Sequence, residues 1–190
     1  MINTNIYEKG GGSMQYKTYY ESPIGQIAIT SDGEAITGLW LPKHNDFELN
    51  YNEPLTEAKL PIFTKAITWI DAYFAGNNPK IDFELKATGS EFREQVWEIL
   101  LDIPYGVTVT YGDIAKKIAI KRNKQKMSSQ AVGGAVGTNP ISIMIPCHRV
   151  VGKDGSLTGY GGGIDTKIEL LQLEQVNMKP LYRPKHSTKP

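Results

Sequence analysis

The chain has 190 residues, 40% of them hydrophobic and 22% charged, with a formal net charge of +1. That balance suits one globular domain or two small ones, and it leaves any basic nucleic-acid surface to be a local feature rather than a global one. The single cysteine, Cys147, excludes intramolecular disulfides and a cysteine-rich metal framework, and it fits a reducing compartment.

The first residues lack the apolar stretch of a secretory signal. Gly10 to Ser13 read as the end of a flexible leader over residues 1–13, with Met14 an alternative start. No apolar run is long enough for a transmembrane helix. Tyr16–Tyr20, Gln26–Thr30 and Ile36–Leu41 are strand-like, and Asp32-Gly33 predicts a tight hairpin between the last two. From Leu60 to Ala75 the apolar positions 62, 63, 66, 67, 70, 73 and 74 follow a helical period, with Pro61 near the start and Gly76 past the end. Residues 14–87 are thus expected to form a small α+β domain, and no catalytic constellation stands out in them.

The spacing then predicts a helix capped by Ser90 that carries Phe92, Val96, Ile99, Leu100 and Ile103 on one face. Thr110-x-x-Asp113 marks the start of another helix, and Ser128 or Ser129 starts a third that runs to about Gly137. The last two, joined by a basic connector, suggest a helix-turn-helix. Ile141–Ile145 reads as a buried strand that delivers Cys147 and His148. Asp165 is expected to cap a last helix reaching Glu174, and residues 177–190, rich in proline and basic residues, are expected to be disordered.

Each striking residue has an ordinary explanation beside a functional one. Ala131, Gly133, Gly134, Ala135 and Gly137 make one helix unusually small, which fits either tight packing against a neighbour or a bare surface against a nucleic-acid backbone, its N-terminal amides toward phosphate. Cys147 beside His148 is either an inert buried pair or a thiolate with its base. His44, His148 and His186 with one cysteine make no metal-ligand set. Gly159 and Gly161–Gly163 around Tyr160 do not match a phosphate-binding loop. Lys116, Lys117, Lys121, Arg122, Lys124 and Lys126 form either a solvated turn or a phosphate contact.

The string Ile145-Pro146-Cys147-His148-Arg149-Val150-Val151 resembles the active-site motif of the O6-alkylguanine-DNA alkyltransferases, the methylated-DNA–protein-cysteine methyltransferases. The likeness extends through Ala131-Val132-Gly133-Gly134-Ala135, Asn139-Pro140, Pro104-Tyr105-Gly106 and Tyr111-Gly112, and onward through Gly159-Tyr160 to Lys167 and Glu174. It covers residues 88–176 strongly, and the earlier part only through Ser22-Pro23-Ile24-Gly25 and the domain length.

The resemblance implies an α+β fold: a ribonuclease H-like N-terminal domain over residues 14–87, then a winged-helix-like, helix-turn-helix DNA-binding domain over residues 88–176. It implies a single-turnover repair enzyme that transfers an alkyl group from O6-alkylguanine, or O4-alkylthymine, to Cys147. His148 would deprotonate the thiol through a water, Glu174 would orient His148, Asn139 would brace the turn, and Tyr111 would donate toward the leaving purine. Val150, Leu157, Gly159, Tyr160, Gly161 and Gly162 would form the pocket for a flipped base. Ser129, Gln130, Ala131 and Gly133 would meet the minor groove of double-stranded DNA. Arg149 would support the fold or touch DNA.

A monomer without cofactor or metal, in a bacterial-type cytoplasm and associated with DNA, is expected. Gln130 stands where many members carry an arginine, and the connector from Ile120 to Ser129 is longer than in shorter members. Two other readings are a non-catalytic alkyltransferase-like lesion binder, which usually lacks the cysteine, and a cysteine hydrolase, which has only the Cys-His neighbours in its favour.

Overall fold

The computed structural model describes residues 14–44 and 47–185. The expected leader lies outside them, as do residues 186–190 of the expected tail.

Strand β1 (Tyr16–Ser22) pairs antiparallel with β2 (Gly25–Ser31) along its whole length. The Asp32 carboxylate then accepts from the Glu34 and Ala35 amides, Gly33 takes φ 105°, and β3 (Ile36–Trp40) returns beside β2. A two-residue strand, β4 (Thr56–Glu57), runs parallel to β1, so the sheet order is β3-β2-β1-β4. Helix α1 (Pro61–Phe74) begins on its proline and buries Ile62, Phe63, Ala66, Trp69, Ile70 and Tyr73 in the cluster that holds Ile27 and Ile29. The other sheet face is covered more lightly, by Phe47 and Leu55 against Ala28.

The outer edge of β3 joins the two halves of the chain. Near one end, Ile36 exchanges backbone hydrogen bonds with Glu84 and Lys86. Near the other, the Leu39 amide donates to the Pro140 carbonyl and the Ser142 amide to the Leu39 carbonyl. A sheet edge that would otherwise expose unpaired groups is thereby used to hold the segment leading to Cys147.

The second half starts with α2 (Glu91–Leu101), capped by Ser90, whose hydroxyl accepts from the Arg93 amide. After β5 (Val109–Thr110), helix α3 (Tyr111–Lys121) opens with a reciprocal capping box between Thr110 and Asp113. Ser128 caps α4 (Ser129–Gly137), and the Trp97 indole of α2 donates to the Ala135 carbonyl at 2.8 Å, fastening α4 from behind. A 3-10 turn (Cys147–Arg149), then β6 (Val150–Val151) parallel to β5, and finally α5 (Ile164–Leu173) complete the order. One continuous apolar cluster runs from Ile27 of β2 through α1, α2, α3 and α4 to Cys147 and Tyr160, so both halves share a core.

Three expectations change. Ile141–Ile145 is buried but is not a strand: only Ile141 bridges to β3, and the chain then folds into a compact turn in which the Ile145 amide donates to the Ile141 carbonyl. Ile143 sits at φ 68°, a left-handed conformation that costs a β-branched residue on the order of 1–3 kcal/mol. Asp165 is not the cap of α5. Gly163 holds that place with no side-chain hydrogen bond, and Asp165 lies in the first turn, paired with Arg183. Residues 177–185 are ordered against the body, because their apolar side chains have a site to fill. Met178 and Leu181 pack on Val151, Leu157 and Leu171, and Tyr182 bridges to Ser156.

Ending the chain at Val176 uncovers that third cluster. The truncated protein is expected to lose roughly 1–3 kcal/mol of stability, read as a lower urea midpoint at unchanged slope; an unchanged midpoint would mean the segment contributes nothing.

Candidate active site

Cys147 lies in the 3-10 turn that follows the strained Ile141–Pro146 segment, and Asn139 sets its position. The Asn139 Oδ1 accepts from the Ile141 amide at 3.0 Å, while its Nδ2 donates to the Ile145 carbonyl at 2.8 Å and to Cys147 Sγ at 3.1 Å. One buried amide thus closes the turn and points a donor at the sulfur. Burial pushes the Cys147 thiol up, an effect only partly offset by the Asn139 hydrogen bond and the charge of Lys167.

His148, fully buried, places Nε2 2.6 Å from Glu174 Oε1. Its other ring nitrogen, Nδ1, makes no hydrogen bond within the described protein. Burial lowers the imidazole from its ordinary range, and the hydrogen bond and charge of Glu174 oppose that. Thiol and imidazole are therefore both driven toward their neutral forms.

Glu174 stands at the C-terminal end of α5, 2% exposed, and gathers five donors. His148 Nε2 and the Tyr73 hydroxyl (2.8 Å) reach Oε1, Arg149 Nη2 also donates to Oε1 at 3.0 Å, and Arg149 Nε (2.8 Å) and the Gly106 amide (3.1 Å) reach Oε2. Burial alone would raise this carboxyl, but the hydrogen bonds from His148 and Arg149 hold it at about 2. Arg149 is itself buried and donates to the Ile103 carbonyl, so it braces the site and does not face DNA.

Tyr111, the first residue of α3, donates its hydroxyl to the Thr158 carbonyl at 3.1 Å. Burial, and after it the charge of a Cys147 thiolate, push the phenol up to about 12. Gly159 takes φ 67°, and a Cβ there would come within 2.8 Å of that hydroxyl, so only glycine fits the position. Gly161 and Gly162 lie against His44 and Leu41 of the N-terminal half. Tyr160 is buried with its ring edge toward His148, and its hydroxyl has no partner within the described protein.

A cavity of about 910 Å³ opens beside this group, lined by Tyr111, Lys116, Ser129, Gln130, Gly133 and Gly159 among others. Gln130, Ser129 and Ala131 are exposed at the start of α4. Close packing accounts for Ala135, which is buried beneath α2, but not for Gly133 and Gly134. A Cβ on Gly134 would meet nothing within 4 Å, and one on Gly133 only the Tyr111 ring at an ordinary 3.8 Å. Of the basic connector, Lys121 pairs with Glu98, and Arg122 with Gln95 and Glu91, which leaves less of it for phosphate.

The structure brings together Cys147, His148, Glu174, Asn139, Tyr111 and Tyr160. It does not bring Leu157 to them: its side chain packs with Val151 and Leu171 on the far cluster and supports the loop from behind, while Val150 is wholly in the core. Tyr73 and Lys167 were not assigned roles from sequence. Lys167 is fully buried, with Nζ donating to the Val150 and Thr158 carbonyls at 2.6 and 3.0 Å, and burial brings it down to about 8. Only its fixed distance from Cys147 within the matching string could have flagged it. Tyr73 carried no such signal.

Residues 15–87 match the model of the 6-O-methylguanine DNA methyltransferase ribonuclease-like domain, and residues 91–176 that of the same family's DNA binding domain. The chain belongs to this family. It is 42% identical to the methylated-DNA–protein-cysteine methyltransferase of Haemophilus influenzae over 90% of this chain and 97% of that one. It is likewise 42% identical to the protein of the same name from Mycobacterium tuberculosis, over 85% and 93%. The solved structure of M. tuberculosis OGT in complex with DNA superposes with a TM-score of 0.73 at 39% identity, covering 84% of this chain and 92% of that one. The mixed α+β fold, with a ribonuclease-like domain ahead of a DNA-binding domain, is that of the family.

The depressed carboxyl of Glu174 has a measurable consequence. Because the folded-state value lies below the ordinary 4.5, its stabilisation is complete above that pH and is lost as the pH falls toward 2. The wild-type protein is expected to lose on the order of 3 kcal/mol more than Glu174→Gln across this window, measured by urea unfolding at stepped pH. Parallel curves for the two proteins would contradict the assignment.

Proposed function

We infer that this protein is a methylated-DNA–protein-cysteine methyltransferase, which repairs DNA by direct reversal and takes the alkyl group from O6-alkylguanine onto Cys147. The observation that carries the chemistry is the buried chain Cys147, His148, Glu174, with a ring nitrogen of His148 left free to receive a proton.

The reaction is a displacement at the alkyl carbon. The Cys147 thiolate forms the new S–C bond as the C–O6 bond breaks, and that bond's electron pair stays with the guanine oxygen. The thiol proton passes through a water to His148 Nδ1, where the Glu174 carboxylate stabilises the imidazolium across Nε2. A proton reaches the departing purine from Tyr111, which exchanges the Thr158 carbonyl for the base as its acceptor. Asn139 holds the sulfur in line. The thioether product has no leaving group for water to displace easily, so each molecule acts once.

DNA is the partner, and double-stranded DNA read through the minor groove fits the exposed start of α4 best. Ser129, Gln130, Ala131 and Gly133 present little bulk, and the helix N-terminus offers amides to phosphate. The damaged nucleotide would leave the stack and pass Tyr111 and Gly159 into a pocket completed by Tyr160, Gly161 and Gly162. Gln130 would fill the gap and hydrogen-bond the orphaned cytosine without the charge of an arginine. No helix among the described residues is long and apolar enough to cross a membrane; a monomer acting on DNA in the cytoplasm is the reading adopted. Residues 14–87 and 88–176 are its two working units.

An oligonucleotide bearing O6-methylguanine should add one methyl to the peptide containing Cys147, seen by mass spectrometry. An unmodified cysteine with the lesion still in the DNA overturns the reading; tight binding without transfer would point instead to a lesion-binding relative, and many products per molecule to a hydrolase. Gln130→Arg is expected to change the transfer rate on duplex DNA by several-fold while leaving reaction with free O6-methylguanine unchanged. Equal effects on the two substrates would remove Gln130 from the flipping step.

A further inference from the structure

We propose that Tyr73, a residue of the ribonuclease-like domain, is a positioning residue for alkyl transfer: its hydroxyl, 2.8 Å from Glu174 Oε1, fixes the carboxylate that holds His148. This rests on the function inferred above and extends the site to the other half of the chain.

The argument begins with the side chain itself. Tyr73 occupies an inward position of α1, where packing alone asks for an apolar ring. Its ring stacks on Trp69 with centroids 5.4 Å apart and meets Phe74 and Tyr105 edge-on. A phenylalanine would satisfy all three contacts. The hydroxyl adds a polar group at a place 1% exposed, which is costly unless it is hydrogen-bonded. Its partners are Glu174 Oε1 and, at a longer 3.4 Å, His148 Nε2. The polar end of Tyr73 therefore serves the buried relay and nothing else in the sheet domain.

Its effect follows from where it donates. Oε1 is the oxygen that receives His148, and it is shared among Tyr73, His148 Nε2 and Arg149 Nη2. Three donors about one oxygen fix the rotation of the carboxylate, and with it the ring plane of His148 and the direction of Nδ1. The phenol also draws charge away from Oε1, so the carboxylate does not hold an imidazolium too tightly to release it. Burial and the neighbouring Glu174 charge drive the phenol strongly upward, so it remains a donor at every working pH. The other groups facing this relay are Arg149, Lys167, Tyr105, Tyr160 and the Gly106 amide; of these Lys167, brought down to about 8 by burial, titrates above the acid limb, which is left to His148.

Tyr73→Phe tests the role. Single-turnover methyl transfer from an O6-methylguanine duplex is expected to slow about tenfold at saturating DNA, the effect of losing one hydrogen bond to a charged group, with the dissociation constant for the duplex unchanged. The acid limb of the pH–rate profile is expected to move to higher pH, because an Oε1 that has lost one of its donors favours the imidazolium. In a Glu174→Gln background, Tyr73→Phe is expected to have no further effect. A tyrosine difluorinated on the ring, which keeps the packing and strengthens the donor, should move the acid limb to lower pH, and this measurement stands even if the phenylalanine variant folds poorly. Wild-type rate and profile in both variants, or an equal loss with and without Glu174, would overturn the proposal. A wild-type protein that leaves the lesion unreacted would instead overturn the underlying function.

Discussion

A single buried carboxylate organises this molecule. Taking a carboxylate out of water costs several kcal/mol, and Glu174 is ionised although almost fully buried. What offsets that cost is a converging set of donors from three separate stretches of chain: Tyr73 from α1, the Gly106 amide from the loop after α2, and Arg149 and His148 from the 3-10 turn, all meeting the end of α5. Each donor is useful only if its own element is in place. Arg149 reaches Glu174 as a two-pronged fork and also grips the Ile103 carbonyl, so the loop after α2, the catalytic turn and the last helix are tied at one point. A pair broken here would leave a charge stranded in the core.

The same burial explains how the reactive thiol is kept quiet. A histidine next to a cysteine suggests a resting ion pair, as in an exposed catalytic dyad. Here burial works against both charges, raising the thiol and lowering the imidazole. On the mechanism proposed above, the thiolate would form as the reaction proceeds, in a place where Asn139, Lys167 and Glu174 already have their orientation. Preorganisation of this kind has a local cost, visible as the left-handed backbone of Ile143 four residues before the sulfur. That strain is held by neighbours on both sides: the edge of β3 binds Pro140 and Ser142, and Asn139 binds Ile145.

What could be read in the sequence was what is decided locally or by a contiguous string. The caps of α2, α3 and α4 are set by residues within one turn; Ser90 and Thr110-x-x-Asp113 announced the first two, and the third was narrowed to Ser128 or Ser129, of which Ser128 is the cap. The set Cys147, His148, Glu174, Asn139 and Tyr111 was legible because the resemblance covers the string around Cys147 and the flanking segments that carry the other three. Features that depend on distant partners were not. Ile141–Ile145 has strand composition, but a side chain outside the run, Asn139, folds it into a turn. Asp165 looked like a cap because nothing in the sequence says that Arg183 comes back to it. The tail looked disordered because its proline and charge content conceals Leu181 and Tyr182, which find a place only once Val151, Leu171 and Ser156 are assembled. Tyr73 reads as one more core residue, and its hydroxyl acquires meaning only across 101 positions of chain.

The helix α4 poses the remaining question in energetic form. Each glycine in a helix interior costs roughly 1 kcal/mol relative to alanine. Such a cost is ordinarily offset by close approach of a neighbour. Gly134 returns nothing inside the protein, since a side chain there would project into open space. Gly133 is hardly more constrained. The proposed DNA contact would supply the compensation from outside the chain, on the surface that carries Gln130 and lines the cavity beside Tyr111. A helix kept bare where its own fold does not require it is what a narrow nucleic-acid groove demands. On the docking proposed above, the glycine pair would favour close contact with DNA independently of any charge, and Gln130, a neutral residue, would do its work there through shape and hydrogen bonding.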